Sequence, residues 1–107
     1  MNILFVCSRN KRRSLTAETI YKNSASYTVR SAGTEPSARI KVTARLIDWA
    51  EVVFVMEKKH KQRMFENFQN ELSNKEIVVL DIPDDFRYMD EELIEILQTS
   101  VDSYFRN

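Results

Sequence analysis

Short unbroken apolar runs alternate along this chain with longer stretches in which apolar residues return every three or four positions. Ile3-Leu4-Phe5-Val6 is such a run and predicts a strand buried on both faces. After the polar stretch Ser8 to Arg13, residues Leu15, Ala17, Ile20 and Tyr21 fall at helical spacing. Ser14, Thr16 and Glu18 suit the start of that helix. Tyr27 to Ser31 predicts a second strand, ended by the turn Ala32-Gly33-Thr34. Val42, Leu46, Ile47 and Trp49 predict a helix, and Val52 to Met56 a central strand. Lys58 to Gln69 reads as a polar helix with Met64, Phe65 and Phe68 on one side. Ile77 to Leu80 is a fourth strand. Asp90 then opens a terminal helix carrying Leu93, Ile96, Leu97, Val101 and Tyr104 at 3–4 spacing.

Strict alternation of strand and helix predicts an α/β fold of three layers, a four-stranded parallel sheet between helices. At 107 residues the whole chain, 1–107, fits a single domain. In such sheets ligands bind beyond the carboxyl ends of the strands, near the point where strand order reverses. Three strand ends carry polar residues suited to chemistry: Cys7, Ser31 to Thr34, and Asp81 to Asp85.

Composition narrows the classes. No apolar run approaches the roughly 20 residues of a membrane span. The charges of the N-terminal segment follow its apolar stretch, the reverse of a signal peptide, so a cytoplasmic location and no membrane partner are expected. A net charge of zero argues against a general nucleic-acid binder. Its distribution is uneven, however. Residues 1–45 hold nine Lys and Arg against two Asp and Glu, which suits an anionic ligand if those charges converge. The single cysteine rules out an internal disulfide and a cysteine-rich zinc site. No His, Cys and carboxylate set has metal-ligand spacing, so neither metal nor cofactor is expected.

Cys7-Ser8-Arg9-Asn10-Lys11-Arg12-Arg13-Ser14 joins the first strand to the first helix. Backbone N–H groups of such a turn can converge on an anion, aided by the helix N-terminus. A Cys and an Arg five residues apart can occupy opposite lips of one loop. The guanidinium then takes two phosphate oxygens while sulfur faces phosphorus. Positive surroundings favour the thiolate, which is the nucleophile, and Ser14 is placed to donate a hydrogen bond to it.

At these residues the chain resembles the low-molecular-weight protein tyrosine phosphatases. Their Cys-x-x-Asn-x-x-Arg-Ser loop matches Cys7, Asn10, Arg13 and Ser14. Thr16-Ala17-Glu18, Ser31-Ala32-Gly33-Thr34, Val53 to Glu57, and Ile77 to Asp85 follow in the family's order. The resemblance implies the phosphotyrosine phosphatase I-like fold, a phosphocysteine intermediate on Cys7, and phosphate held by Arg13. Ser8, Arg9, Asn10, Lys11, Arg12 and Ser14 would complete the binding loop. It departs from the pattern in three ways. The segment between Thr34 and Val52 is shorter, Arg9 replaces the usual Gly, and Arg12 replaces a second loop cysteine, leaving Cys7 without internal redox protection.

The family's general acid is an Asp, commonly followed by Pro, after the fourth strand. No Asp-Pro pair exists here. Laid on relatives reading Asp-Ile-Pro-Asp-Pro, the acid position falls to Asp84, with Asp85 and then Asp81 as alternatives. Phe86 and Tyr88 match aromatics that line the entrance, and core packing is the competing assignment. The expected substrate is a phosphorylated protein, phosphotyrosine first, or a small phosphate ester. A non-catalytic anion-binding module and an arsenate reductase using an external thiol are the alternatives, and oligomeric state is open. A phosphoryl carrier is disfavoured by Arg13. His60, among lysines on a polar helix, is expected at the surface, and Trp49, Met56, Met64 and Phe65 in the core.

Overall fold

The alternating side chains of the first strand explain the architecture. In the computed structural model, which describes residues 1–106, that strand is β1 (Asn2–Cys7). It has no exposed face. Ile3, Phe5 and Cys7 enter one core cluster, while Leu4 and Val6 enter another on the opposite side. The period-two direction of strand side chains makes this division.

The remaining elements follow as α1 (Arg13–Ile20), β2 (Thr28–Gly33), α2 (Ala44–Trp49), β3 (Val52–Val55), α3 (Lys58–Leu72), β4 (Glu76–Val79) and α4 (Glu91–Arg106). All strand pairs are parallel and the sheet order is β2-β1-β3-β4. Helices α1 and α4 cover the Phe5 face through Ala17, Leu93, Leu97 and Val101. Helices α2 and α3 cover the Leu4 face through Ile47, Met64 and Leu72. The predicted three-layer α/β/α sheet is therefore observed. Each fully buried Leu, Ile or Phe adds roughly 1.5–3 kcal/mol to holding those layers together.

Several boundaries differ from those read in the sequence. β2 runs on to Gly33, because Val6 and Cys7 pair with Ala32 and Gly33 and draw the turn into the sheet. Val42 lies ahead of α2, which starts after Thr43, whose hydroxyl accepts from the Leu46 amide. Helix α3 reaches Leu72 but loses helical geometry at Phe68 (φ −137°, ψ 38°). Met56 and Met64 are in the core as expected. Trp49 is only half-buried, with the Arg30 guanidinium 4.5 Å from its ring centre.

The chain order crosses from β2 on one side of β1 to β3 on the other. That reversal makes the carboxyl end of β1 the switch point of the sheet, and Cys7 is its last residue. Among the described residues no helix is long and apolar enough to cross a membrane.

Candidate active site

Beyond β1 the backbone curls around the Cys7 sulfur. Asn10 adopts φ 61°, a left-handed conformation that Asn tolerates better than most residues. The turn brings its amide to 3.3 Å from Cys7 Sγ. Its side-chain Nδ2 donates to Ser14 Oγ at 2.8 Å, and Ser14 Oγ lies 2.9 Å from Cys7 Sγ. Because Ser14 accepts from Asn10, its own proton is free for the sulfur. The competing acceptor, the Ala32 carbonyl, is farther away at 3.4 Å. Arg9, in the place of the family's glycine, has no left-handed backbone, so no glycine is required there.

The outer support of the loop is Gly33. A Cβ at this position would lie 2.5 Å from the Ser8 carbonyl oxygen and 2.6 Å from Ala38 Cβ. The Thr34 and Glu35 amides donate to the Cys7 and Ser8 carbonyls, which ties the loop to the end of β2. Ser31 donates to Glu18 Oε1 at 2.7 Å, joining β2 to α1 below.

Arg13 is buried, and two acceptors fix it. Its Nη1 donates to Glu57 Oε1 at 2.6 Å and to the Ile82 carbonyl at 2.7 Å. Both bonds use one nitrogen, which leaves Nη2 for an anion. Arg13 Nε lies 3.7 Å from Asp84 Oδ1. Burial alone would raise the Glu57 pKa, but the hydrogen bond and charge of Arg13 hold it below the usual carboxylate value.

His60 overturns its expected surface location: it is 1% exposed. Its Nδ1 accepts from the Glu57 amide at 3.0 Å, in a reciprocal cap at the start of α3, and this folds the ring inward. With Nδ1 accepting, the proton of the neutral ring sits on Nε2, which lies 2.9 Å from Ser8 Oγ. Burial, followed by the nearby Arg13 charge, pushes the His60 pKa down to about 4, so the ring is neutral near pH 7. Ser8 therefore accepts from His60 and keeps its own proton to donate into the site.

These groups open onto a cavity of about 310 Å³ lined by Cys7, Ser8, Arg9, Lys11, Arg12, Arg13, Glu35, Lys59 and Asp84. Asn10 and Ser14 lie buried behind it. Of the three candidate acids, Asp84 lines this cavity. Asp85 does not, and Asp81 borders a separate depression with Lys58 and Pro83. Phe86 packs against the core instead of the cavity, and exposed Tyr88 places its hydroxyl 2.9 Å from Thr19 Oγ1. Glu57 and His60 are the residues whose roles the sequence left unread. Their one signal is a Glu-x-x-His spacing at a strand-to-helix junction.

No protein-family model matches the chain, and no curated protein sequence matches it. Solved structures do. SP-PTP, a low molecular weight protein tyrosine phosphatase from Streptococcus pyogenes, matches with TM-score 0.79 and 17% identity over 98% of this chain and 91% of that one. The YwlE arginine phosphatase from Geobacillus stearothermophilus gives TM-score 0.74 and 24% identity, over 96% and 89%. The tyrosine phosphatase Wzb from Escherichia coli K30, in complex with phosphate, gives TM-score 0.75 and 20% identity, over 96% and 94%. At these identities the likeness is one of fold, and the fold of this chain is that of the low-molecular-weight protein tyrosine phosphatases.

Proposed function

We propose that the chain is a phosphate monoester hydrolase, a protein-tyrosine phosphatase in type, acting through a phosphocysteine on Cys7. One observation carries the reading: the Cys7 sulfur and the pinned Arg13 guanidinium share a single amide-lined loop, with Asp84 at the guanidinium's edge.

In the first step the Cys7 thiolate attacks phosphorus and the bond from phosphorus to the ester oxygen breaks. Asp84 gives its proton to the departing oxygen. Arg13 Nη2, the loop amides and the Ser8 hydroxyl stabilise charge on the equatorial oxygens. In the second step Asp84 takes a proton from water, the water oxygen attacks phosphorus, and the thiolate leaves with Ser14 donating to it. Every charge in this scheme is met by a protein group, so turnover is expected to persist in chelator. Phosphotyrosine in a protein is the first substrate to try. Phosphoarginine, whose P–N bond would break in place of the ester bond, belongs beside it, since the similar structures include YwlE arginine phosphatases.

The test is hydrolysis of an aryl phosphate between pH 5 and 7 in the presence of chelator. Cys7→Ser and Arg13→Ala are expected to abolish turnover. A wild-type protein that binds phosphate or vanadate but releases no product would instead identify an anion-binding module.

A further inference from the structure

Five cations, Arg9, Lys11, Arg12, Arg13 and Lys59, line the cavity against two carboxylates, Glu35 and Asp84. Arg13 is buried and serves the phosphate itself; the other four form the mouth. Arg9 lies 3.6 Å from Glu35 and Lys59 3.8 Å from Glu57, both at long range and in solvent. Among the described residues Lys11 and Arg12 have no carboxylate within 4.0 Å. No Phe, Tyr or Trp lines the cavity, because Phe86 is spent on the core and Tyr88 is held at Thr19. An aromatic leaving group therefore finds no ring to stack on, and recognition beyond the phosphate has to come from charge.

We infer that the preferred substrate is a phosphate monoester bearing a second anionic group, carboxylate or phosphate, within a side chain's reach of the phosphate that is cleaved. This rests on the proposed hydrolysis at Cys7 and adds the substrate class to it. Two oxygens of the first phosphate meet Arg13 and the loop, while the second anion meets Lys11, Arg12 and Lys59. A phosphorylated guanidinium is the opposite case, since its positive charge would enter a mouth that is already positive. The anion can come from acidic residues flanking a phosphotyrosine or from a second phosphate on a small molecule.

Three substrate pairs separate these cases. A phosphotyrosine peptide with flanking Glu is compared with its Gln counterpart, which keeps the leaving group unchanged. 1,3-Phenylene bisphosphate is compared per phosphate with phenyl phosphate, and a phosphoarginine peptide with the Gln phosphotyrosine peptide. In the first two pairs the doubly anionic member is expected to show kcat/KM about tenfold higher at low salt, with the advantage shrinking as ionic strength rises. In the third the phosphoarginine peptide is expected to be the slower member. A preference for the Glu peptide alone identifies a peptide source, and one for the bisphosphate alone a small molecule. In Lys11→Gln/Lys59→Gln the ratio within each pair should fall toward one. The salt dependence of the wild type gives the same reading if that variant does not fold. Equal kcat/KM within the first two pairs, or faster turnover of phosphoarginine, overturns the inference while leaving the phosphatase intact. No turnover of any of the substrates overturns both.

Discussion

The loop from Cys7 to Ser14 and the loop from Asp81 to Met89 meet at one cavity and are built in opposite ways. In the first, Cys7, Asn10, Arg13 and Ser14 are all buried; Cys7, Asn10 and Ser14 are bonded to one another, and Arg13 to Glu57 and the Ile82 carbonyl. In the second, only Ile82 is buried. Asp84 has 57% of its side chain exposed, and both Asp81 and Met89 adopt left-handed backbone (φ 56° and 63°). A few bonds fasten the second loop: Arg13 to the Ile82 carbonyl, the Ile82 amide to Met56, and the Met89 amide to Thr16 Oγ1. Gripping a phosphate is the same task for every ester and rewards a preorganised cradle. Supplying a proton to leaving groups of differing shape rewards an open arm. Under the proposed mechanism each loop suits its own half of the reaction.

Four changes would break or sharpen that contrast. The largest effect is expected from Asp84→Asn. It should lower kcat/KM, which reports the first step alone, about 10²- to 10⁴-fold for alkyl phosphates, and far less for p-nitrophenyl phosphate, whose leaving group needs little protonation. Vanadate affinity, a readout of the first loop, should stay within about twofold. Equal losses on both esters would remove Asp84 from the acid role.

Gly33→Ala attacks the cradle from outside. The added methyl meets backbone at the Ser8 carbonyl, which cannot swing away as a flexible side chain would. A loss of about 2–3 kcal/mol in urea unfolding is expected, together with weaker vanadate binding. Unchanged binding would show that the loop shifts without cost.

Third, His60 ties the cradle to pH. Its ordinary pKa of 6.5 falls to about 4 in the fold, so between those values the unfolded chain binds the extra proton. Stability is then fully present above about pH 6.5 and falls as pH drops toward 4, by on the order of 2 kcal/mol after allowing for solvent screening. Glu57, also held low, adds to the loss at the acid end. Urea midpoints at pH 7, 6 and 5 should decline in the wild type and decline less in His60→Gln; parallel slopes would sink the assignment.

The smallest effect serves as a control far from both loops. The Tyr21 hydroxyl is buried without a partner, and burial, with Asp102 nearby, pushes its pKa up to about 12. Tyr21→Phe removes that orphan while keeping the ring stacked on Phe5 and edge-on to Tyr27. A gain of about 1 kcal/mol is expected with kinetics unchanged. A loss of stability would reveal a bound water serving the hydroxyl.

What could be read from the sequence follows the same division. The strands were legible because a run such as Leu4 to Val6 can be buried only between two layers. The Cys7 and Arg13 spacing was legible because one loop has to hold both. Asp84 was reached only through the resemblance, by laying the chain on relatives that read Asp-Ile-Pro-Asp-Pro, and its side chain lines the cavity. His60 was not legible. Three lysines in a polar stretch signal solvent, and the inward fold of the ring depends on a cap formed with Glu57 and on Ser8 beyond the end of β1. Phe86 and Tyr88 had two fates open to them; packing on the core around Phe5 decided the first, and a hydroxyl contact to Thr19 of α1 the second. Contacts made between distant segments leave little trace in local pattern.

Cys7 is the final residue of β1 and shares a face with Ile3 and Phe5, while Leu4 and Val6 fill the other side. A deletion or insertion of one residue inside that strand would reverse the residues on one side of the change, so that either the sulfur or the core residues before it would face the wrong way. The stretch from Pro36 to Arg39 carries no such parity, since among the described residues it forms no strand and pairs with none. Lineages of this fold should therefore gain and lose residues freely there while keeping the count from Asn2 to Cys7 fixed. Domain insertions or reporter peptides are best tolerated in the same place.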